Sequence, residues 1–278
     1  MAKLKILITG SNGYIGQHLC KILHKHFDID GLDLHGFPKH TFLQNYISKN
    51  ITSDLSSIKT EYHAIIHLAA LVRVGESVDR PYDYYNTNIN GTTNILKNLK
   101  FKQFIFGSTG AASAPASPYA FSKIVAEDIV KEHCNNNNIP FTTFRFYNVT
   151  GTDGFKATNP DGLFYKLNEA IETGVFNIYG DDYDTKDGTA VRDYVHVNEI
   201  CLALEAAIDN NTNSIENLGH GKGYSVKEIA ETFKYVNNLN FKINYAPKRP
   251  GDPAKTILDN VSKFMLEKYT LEEYLKIS

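Results

Sequence analysis

Residues 4–16 read LKILITGSNGYIG, and this stretch decides the fold of the chain. Its apolar, β-branched beginning up to Thr9 predicts a buried strand. A glycine turn from Gly10 to Gly16 follows at once, and residues 17–26 then carry apolar side chains at helical spacing. This order predicts a dinucleotide-phosphate site, because glycine permits a tight turn and a helix N-terminus attracts pyrophosphate. The glycine spacing is G-x-x-G-x-x-G, and a plain tight turn is the alternative interpretation.

The next strand is predicted at residues 27–34 and brings Asp33 to its end. Asp33 follows the glycine turn at close to the separation of about 20 residues expected for an acid that binds the adenosine ribose. A carboxylate there accepts a hydrogen bond from a 2′-hydroxyl and repels a 2′-phosphate, so the sequence favours NAD over NADP. A solvated loop aspartate is the alternative interpretation.

Further strands are predicted at residues 45–51, 64–68, 104–109 and 141–146, with helices at 81–99 and from Pro118 onward. This alternation predicts an α/β fold, a Rossmann-like doubly wound parallel sheet with helices on both faces. Ligands of such sheets bind at the carboxyl ends of the strands. The residues expected at those ends are Gly10, Asp33, Ala69, Thr109 and Asn148.

The alternation of predicted strands and helices becomes less regular after Asn148, where a glycine-rich and loop-rich segment begins. We therefore expect a dinucleotide-binding domain over 1–148, with 194–215 packing back on it. Residues 149–278 are expected to form mainly a smaller C-terminal α/β substrate domain. Ser225 and Glu228 there fit a capping box at a helix start.

A tyrosine and a lysine stand four residues apart in the segment SPYAFSK, residues 117–123. Pro118 suits a helix start, and a helix from there puts Tyr119 and Lys123 on one face. An ammonium beside a phenol lowers the pKa of the phenol, which then acts as a general base or acid. A surface tyrosine beside a solvated lysine is the alternative, but the preceding strand ends in Ser108 and Thr109, near the expected dinucleotide.

Composition limits the remaining classes of function. The 278 residues carry a net charge of −2, which provides neither a basic field for nucleic acid nor a polybasic membrane patch. No apolar run approaches the roughly 18 residues of a membrane helix. Three widely spaced cysteines predict neither a disulfide framework nor a metal cluster, and the expected location is the reducing cytoplasm.

Together these motifs resemble the extended short-chain dehydrogenase/reductase family, most closely its UDP-glucose (UDP-galactose) 4-epimerases. The motifs general to the superfamily are residues 9–16, 66–70 and the pair Tyr119 and Lys123. The more specific motifs are residues 74–78, 84–92, 187–197 and 249–252. The resemblance extends over nearly the whole chain.

The resemblance implies NAD-dependent C4 epimerisation of a UDP-hexose, either UDP-galactose/UDP-glucose or the N-acetylated pair. Tyr119, as a phenolate, takes the proton of the sugar 4-hydroxyl, and hydride passes from C4 to tightly held NAD. The 4-keto sugar turns around, and hydride returns to its other face. Lys123 supports the phenolate and bonds the nicotinamide ribose. Thr109 matches the hydroxyl that bonds the reacting oxygen, with Ser108 as the fallback.

The resemblance also implies binding residues and a partner. The implied cofactor-binding residues are Gly10, Gly13, Tyr14, Ile15, Gly16, Asp33, Asn50, Ile51, Leu68, Ala69, Ala70, Asn88, Tyr119 and Lys123. The implied substrate-binding residues are Asn148, Asn177, Tyr179, Arg192, Arg249 and Asp252, with no metal. Arginine suits a diphosphate because its fork bonds phosphate oxygens bidentately, although Arg192 in a structural salt bridge is the alternative. A homodimer is implied through the helices at 81–99 and 118–134, with apolar contacts from Tyr84, Ile95, Ile124 and Val125.

Several positions depart from the family pattern. The segment 110–118 before Tyr119 is short, Val72 replaces a lysine near the nicotinamide, and Leu163–Phe164 replaces an asparagine-leucine pair near the uracil. Thr256 stands where a bulky tyrosine is common, which favours N-acetylated sugars. A 4,6-dehydratase is disfavoured because Gly110–Ala112 carry no carboxylate. A 4-keto sugar-nucleotide reductase and a non-catalytic NAD-sensing protein of the same fold are the alternatives.

Overall fold

The computed structural model describes residues 3–151, 153–249 and 252–277. Its strands are β1 (Leu4–Thr9), β2 (Phe27–Asp33), β3 (Asn45–Ser48), β4 (Glu61–Tyr62), β5 (Ala64–His67), β6 (Lys100–Phe101), β7 (Phe104–Thr109), β8 (Phe141–Phe146), β9 (Asn148–Thr150), β10 (Val175–Tyr179), β11 (Val191–His196), β12 (Ser214–Leu218), β13 (Gly223–Ser225), β14 (Lys242–Ala246) and β15 (Lys255–Thr256). Its α-helices are α1 (Tyr14–Leu23), α2 (Val74–Asp79), α3 (Pro81–Tyr84), α4 (Gly91–Asn98), α5 (Pro118–Asn136), α6 (Leu163–Thr173), α7 (Val197–Ala207), α8 (Val226–Val236) and α9 (Leu271–Leu275). A π-helical turn (Tyr85–Asn90) and a 3₁₀ turn (Gly110–Ser113) complete the elements. Within the described ranges, no helix has both the length and the apolar character to cross a membrane.

The chain divides into two compact units. The first holds Met1–Phe146 and Cys201–Glu216, and the second holds Tyr147–Ile200 and Asn217–Ser278. The division therefore falls two residues before the predicted one, and 194–200 belongs to the second unit instead of the first.

The first unit is built on a seven-stranded sheet in the order β12-β8-β7-β5-β1-β2-β3. Neighbouring strands from β8 to β3 pair in parallel, so their carboxyl ends share one edge. The predicted Rossmann-like α/β fold is confirmed by this sheet and by the flanking helices. The apolar core includes Leu7, Ile65, Phe104 and Val130.

The glycine turn between β1 and α1 has the tight geometry that its sequence predicts. Gly10 has a φ of +73°, and a Cβ there would lie 2.8 Å from the backbone nitrogen of Ala69. A Cβ on Gly16 would lie 2.1 Å from the carbonyl oxygen of Gly10. Both positions therefore require glycine, because any side chain would push the turn away from α1 or β5.

The single helix expected at 81–99 is instead α3, the π-helical turn and α4 in succession. A π-helical turn shifts the side chains that follow it around the helix axis. Tyr84, just before the turn, and Ile95, after it, are both buried in the first unit, at 1% and 0% exposure. Their expected role in dimer contacts is wrong, since neither side chain reaches the surface.

The second unit contains two small sheets. One pairs β10 with β14, and the other places β11 between β13 and β15, with β9 also pairing β11. The capping box of Ser225 and Glu228 is present at the start of α8, which confirms that prediction. Phe164, Leu167, Ile229 and Phe233 form part of the apolar core of this unit.

A buried carboxylate, Glu199, joins three segments of the second unit. It accepts hydrogen bonds from the Nε2 of His220 (2.8 Å), the backbone N–H of Lys268 (2.8 Å) and the hydroxyl of Tyr274 (3.0 Å). These bonds hold the C-terminal segment with α9 against the beginning of α7.

Candidate active site

The edge of the sheet where the parallel strands end gathers the predicted cofactor residues of the first unit. Gly10 follows β1, Asp33 ends β2, and Ala69 follows β5. The N–H of Ala69 donates to the hydroxyl of Thr9 at 3.2 Å, which joins the ends of β5 and β1. The Asp33 carboxylate accepts the backbone N–H of Asn12 in the glycine turn at 2.9 Å. Asp33 is thus held beside the turn that would receive the pyrophosphate.

The loop after Asp33 is fastened to the same glycine turn. The Asn12 side chain donates to the carbonyl of Phe37 at 2.8 Å and accepts the N–H of Lys39 at 2.9 Å. His40 Nε2 lies 3.1 Å from the carbonyl of Ser11. Asn12 was not among the predicted site residues, although its place within the glycine turn marks it as a candidate.

Tyr119 and Lys123 lie in the first two turns of α5, as predicted. Pro118 is the first helical residue, and the Ser117 hydroxyl accepts the N–H of Ala120 at 3.2 Å to cap the helix. Both side chains are buried, with Lys123 only 4% exposed. The ammonium of Lys123 lies 4.1 Å from the ring centroid of Phe106 on β7, a cation–π contact that partly replaces its lost hydration.

Burial dominates the ionisation of both groups. It raises the pKa of Tyr119 to about 12, opposed by a hydrogen bond from Thr109. It lowers the pKa of Lys123 to about 7, opposed by the charge of Glu127. Burial thus works against the lowering of the Tyr119 pKa that the helix pair predicts, and the catalytic use of the pair stays a prediction.

Thr109 and Ser108 point to opposite faces of β7, as successive strand residues do. Thr109 lies by Tyr119, and its hydroxyl accepts the N–H of Ala111 at 3.3 Å. Ser108 is buried and donates to Glu127 at 2.5 Å. The Ser108 hydroxyl is thus engaged by Glu127, whereas Thr109 bonds Tyr119, which favours Thr109 over the fallback Ser108.

A buried ion pair behind this face was missed from the sequence. Arg145 on β8 donates from Nε to Glu127 at 3.0 Å and from Nη2 at 2.6 Å. Glu127 follows Lys123 by one helical turn and Tyr119 by two. That spacing was the available signal, because it puts all three side chains on one face of α5.

His67 is a core histidine with both ring nitrogens bonded. Nδ1 lies 2.6 Å from the Thr9 hydroxyl, and Nε2 lies 3.0 Å from the Thr92 hydroxyl. Thr92 in turn donates to the carbonyl of Asn88 at 2.6 Å. Burial, with a contribution from the charge of Lys123, lowers the pKa of His67 to about 3, so the ring stays neutral.

Asn88 lies in the π-helical turn and is 1% exposed. Its amide bonds both backbone groups of Leu71, at 2.9 and 3.0 Å, and donates to the Ser122 hydroxyl at 2.9 Å. Ser122 then donates to the carbonyl of Tyr119 at 2.7 Å. Asn88 thereby connects the loop after β5 to the first turn of α5.

The remaining predicted cofactor residues of the first unit differ in exposure. Leu68 and Ala70 are half-buried at the end of β5. Asn50 is exposed, and its side chain accepts the N–H of Thr52 at 3.0 Å. The side chain of Ile51 is 5% exposed and packs in the core, so only its backbone is available to an adenine ring.

The second unit brings several predicted substrate residues together. Arg192 on β11 donates to Asp252 at 3.0 Å, which is the salt bridge considered from the sequence. The guanidinium of Arg249 lies 4.1 Å from the ring centroid of Tyr179 on β10. Asn148 donates to the carbonyl of Asp193 at 3.0 Å. Pro250 and Gly251 of the predicted nucleotide loop lie outside the described residues, and Asn177 is exposed on β10.

The departures from the family pattern also have places in the structure. Val72 is 45% exposed. The short segment before Tyr119 begins as the 3₁₀ turn, capped by the Thr109 hydroxyl. Phe164 is a core residue of the second unit, at 3% exposure, so its side chain is unavailable to a uracil ring. Thr256 pairs in register with Arg192.

The first unit fits a dinucleotide. The turn at Gly10 and Gly16 excludes side chains, and the N-terminus of α1 offers backbone N–H groups suited to pyrophosphate. Asp33 provides an acceptor for ribose hydroxyls at the neighbouring strand end. The chemistry of these donors and acceptors matches NAD.

Comparison with known proteins agrees with this geometry. Residues 6–219 match the model of the NAD dependent epimerase/dehydratase family. The UDP-glucose 4-epimerase of Lactobacillus helveticus is 31% identical, over 92% of this chain and 89% of that protein. The UDP-Glc/GlcNAc 4-epimerase of Campylobacter jejuni is 30% identical, with a TM-score of 0.81 and 98% coverage of both chains. The UDP-glucose 4-epimerase of Bifidobacterium longum, solved with NAD+ and UDP, is 26% identical, with a TM-score of 0.82 over 98% of this chain and 96% of that one.

The family model spans most of the chain, and one relative is more than 30% identical to it. Both matches confirm the resemblance stated from the sequence. The chain is a member of the NAD-dependent epimerase/dehydratase family, an enzyme of the epimerase type whose cofactor is NAD.

Proposed function

We propose that the protein interconverts a UDP-hexose and its C4 epimer, UDP-galactose and UDP-glucose in the first instance. The observation that carries the proposal is the grouping of Tyr119, Lys123 and Thr109 next to the sheet edge that carries the glycine turn. Relatives with this activity cover about nine-tenths of the chain, which supports the same reaction here. The first unit is proposed to bind NAD, and the second to supply the nucleotide-sugar contacts.

NAD is proposed to be held along the edge of the sheet. The N-terminus of α1 and the glycine turn receive the pyrophosphate, and Asp33 bonds the adenosine ribose. Lys123 bonds the nicotinamide ribose, and the ends of β5 with Asn88 line the middle of the site. Bound NAD supplies the hydride acceptor and donor for oxidation and re-reduction at C4.

Tyr119 is proposed to hold the proton that the reaction moves. Its phenolate takes the proton of the sugar 4-hydroxyl and returns it to the oxygen of the epimeric product. Ionisation is uphill at neutral pH because burial holds the pKa of Tyr119 at about 12. The Thr109 hydroxyl and a protonated Lys123 favour the phenolate, since both act on its negative charge.

The UDP moiety is proposed to bind the second unit. Arg192 and Arg249 suit the diphosphate because guanidinium groups are always charged and bond phosphate oxygens in pairs. Tyr179 offers an aromatic face beside Arg249, and Asn148, Asn177 and Asp252 add polar contacts. Thr256 is small and leaves room for an N-acetyl group, so the N-acetylated pair is the second proposed substrate.

The test is an NMR time course of the purified protein with UDP-galactose and UDP-N-acetylgalactosamine in parallel, without added cofactor. We expect the anomeric signal of UDP-glucose to appear in the first sample. An unchanged anomeric signal with both substrates would overturn the proposal. In a separate sample, consumption of added NADH would identify a 4-keto sugar reductase, and bound NAD without any turnover would identify an NAD-sensing protein.

We propose that a second copy of the chain is the protein partner, and that the protein works in the cytoplasm. Tyr82 is 82% exposed and Phe121 is 49% exposed, and both rings pack edge-on to Tyr85. An exposed cluster of three aromatic rings is typical of an interface. The three cysteines are all free thiols, which suits a reducing compartment.

A further inference from the structure

Glu127 is a buried carboxylate that the proposed reaction does not use. It is 1% exposed on α5, on the face that carries Tyr119 and Lys123. A charge in such surroundings is retained only when it is paired and hydrogen-bonded. Its partners therefore indicate what it holds in place.

The hydrogen bonds of Glu127 and its partner Arg145 reach residues on either side of Thr109 in the sequence. Glu127 accepts from Ser108, the residue before Thr109, at 2.5 Å, and from Arg145 through Nε and Nη2. Arg145 also donates from Nη1 to Ser113 at 3.3 Å, at the end of the 3₁₀ turn that follows Thr109. The segment is thus fastened to Glu127 and Arg145 on both sides of Thr109, which the short connection to Tyr119 alone would not achieve.

The charge of Glu127 acts on Lys123 as well. On α5, Tyr119 and Glu127 lie one helical turn before and after Lys123, and on β5 the neutral ring of His67 lies within reach of the Lys123 charge. Arg145 on β8 stands behind Glu127. Burial favours the neutral amine of Lys123, and the negative charge of Glu127 opposes that effect.

We propose that Glu127, held by Arg145, is a positioning residue of the active site: it fixes Thr109 opposite Tyr119 and favours the charged form of Lys123. The inference rests on the proposed function for its catalytic meaning, but the charge of Lys123 is measurable without turnover. A purely structural ion pair would stabilise the fold and leave the titration of Lys123 unchanged.

The test compares the full-length protein with Glu127→Gln, which keeps the shape of the side chain and removes its charge. Lysines are labelled with ¹³C at Cε, the protein is saturated with NAD, and the Lys123 signal is assigned by its loss in Lys123→Arg. A nearby opposite charge moves a pKa by about 1–3 units, and Arg145 offsets part of this effect. We therefore expect the midpoint of the Lys123 titration to fall by about one pH unit.

The variant Arg145→Gln should shift the midpoint of the Lys123 titration in the opposite direction. Its amide still donates hydrogen bonds to Glu127, but the positive charge is gone, so the midpoint of Lys123 should rise. Glu132→Gln is the matched control, because Glu132 is exposed on the same helix and should leave the midpoint unchanged. Wild-type midpoints in both Glu127→Gln and Arg145→Gln would overturn the proposal, as would failure of both variants to fold.

Activity adds an independent measurement. If Lys123 must be charged, the alkaline limb of the kcat profile moves to lower pH in Glu127→Gln, while the KM for the nucleotide sugar stays close to wild type. A loss of kcat that is equal at every pH would show that only the Thr109 contact matters, which contradicts the second half of the proposal. An inactive wild-type protein with the expected Lys123 shifts would overturn the proposed function and leave the charge coupling established.

Discussion

Tyr119 is the residue whose hydroxyl the proposed reaction cannot replace. In Tyr119→Phe the ring remains, but the proton of the 4-hydroxyl has no acceptor, so kcat should fall by about 10²–10⁴-fold. The measurement is a coupled assay of UDP-glucose formation from UDP-galactose. The NAD content of the purified variant serves as the control and should match that of wild type. Retention of near-wild-type kcat would exclude Tyr119 as the base.

Thr109 acts on the same proton through a hydrogen bond. Because that bond lowers the pKa of Tyr119, which still lies well above neutral pH, Thr109→Val should raise this pKa, reduce the fraction of phenolate and lower kcat at neutral pH. Thr109→Ser keeps the hydroxyl and should restore kcat to near its wild-type value. The measurement is kcat at neutral pH for all three proteins. An unchanged kcat in Thr109→Val would remove Thr109 from the proton transfer.

At the scale of elements, the π-helical turn places Asn88 where an unbroken α-helix would not. Asn88→Leu has a similar volume but loses the bonds to Leu71 and Ser122, which leaves the partly buried backbone groups of Leu71 without this partner. Each such group costs about 1–3 kcal/mol, so we expect the free energy of unfolding to fall by about 2 kcal/mol or more. Urea unfolding and the fraction of bound NAD are the measurements, and both should decrease.

The control for this variant is Asn86→Leu in the same turn, where the side chain is exposed. It should leave both the free energy of unfolding and the NAD content near their wild-type values. Equal losses in the two variants would mean that the turn itself, and not the Asn88 amide, determines stability.

The elements that carry strong local patterns were predictable from the sequence. β1, the glycine turn and α1 follow from β-branched residues, glycine spacing and helical periodicity. The start of α5 follows from Ser117 and Pro118. The π-helical turn has no local sequence signal, and the Asn88 side chain within it bonds Leu71 and Ser122, residues distant in the chain.

In the candidate site, too, local patterns were predictable from the sequence, whereas contacts between distant residues were not. Sequence spacing placed Tyr119 and Lys123 on one helical face, and the alternation of strands and helices placed Asp33 beside the glycine turn. The pKa of Tyr119 depends on how completely α5 is buried, which no local pattern contains. The contact of Glu127 with Arg145 joins a helix to a neighbouring strand and needed the tertiary structure.

At the scale of the whole molecule, Glu199 is expected to contribute stability at neutral pH that is lost in acid. Burial alone would raise its pKa, but hydrogen bonds from His220, the Lys268 N–H and Tyr274 prevail and lower it. A lowered pKa gives stability that is present above the unfolded value of about 4.3 and is lost as pH falls through the folded value. Glu199→Gln should therefore be less stable than wild type at pH 7, by about 2 kcal/mol.

Urea unfolding at pH 7 and at successively lower pH is the measurement for Glu199. The difference between wild type and Glu199→Gln should shrink as the pH falls, because the wild-type carboxylate becomes protonated. Glu231→Gln, at an exposed position on α8, is the matched control and should be close to wild type at every pH. A difference that is constant with pH would show that the charge of Glu199 contributes nothing.

The proposed dimer is expected to form through one aromatic surface of the first unit. The aromatic cluster of Tyr82, Tyr85 and Phe121 stands on α3, the π-helical turn and α5, and its rings are 6.2 and 5.8 Å apart in edge-to-face pairs. Burying such rings against a second copy removes apolar area from water at about 25 cal/mol per Å². Phe121→Asp places a charge in that contact, and desolvating an unpaired carboxylate opposes association strongly.

Light scattering on a size-exclusion column should thus give wild-type protein at twice the chain mass of 31.2 kDa, and Phe121→Asp at the chain mass itself. Tyr235→Asp is the control, because Tyr235 is 84% exposed on α8 in the second unit and should not affect association. A wild-type monomer would overturn the dimer. A Phe121→Asp dimer would move the interface away from the aromatic cluster, since no dimer could keep that charge buried without a partner.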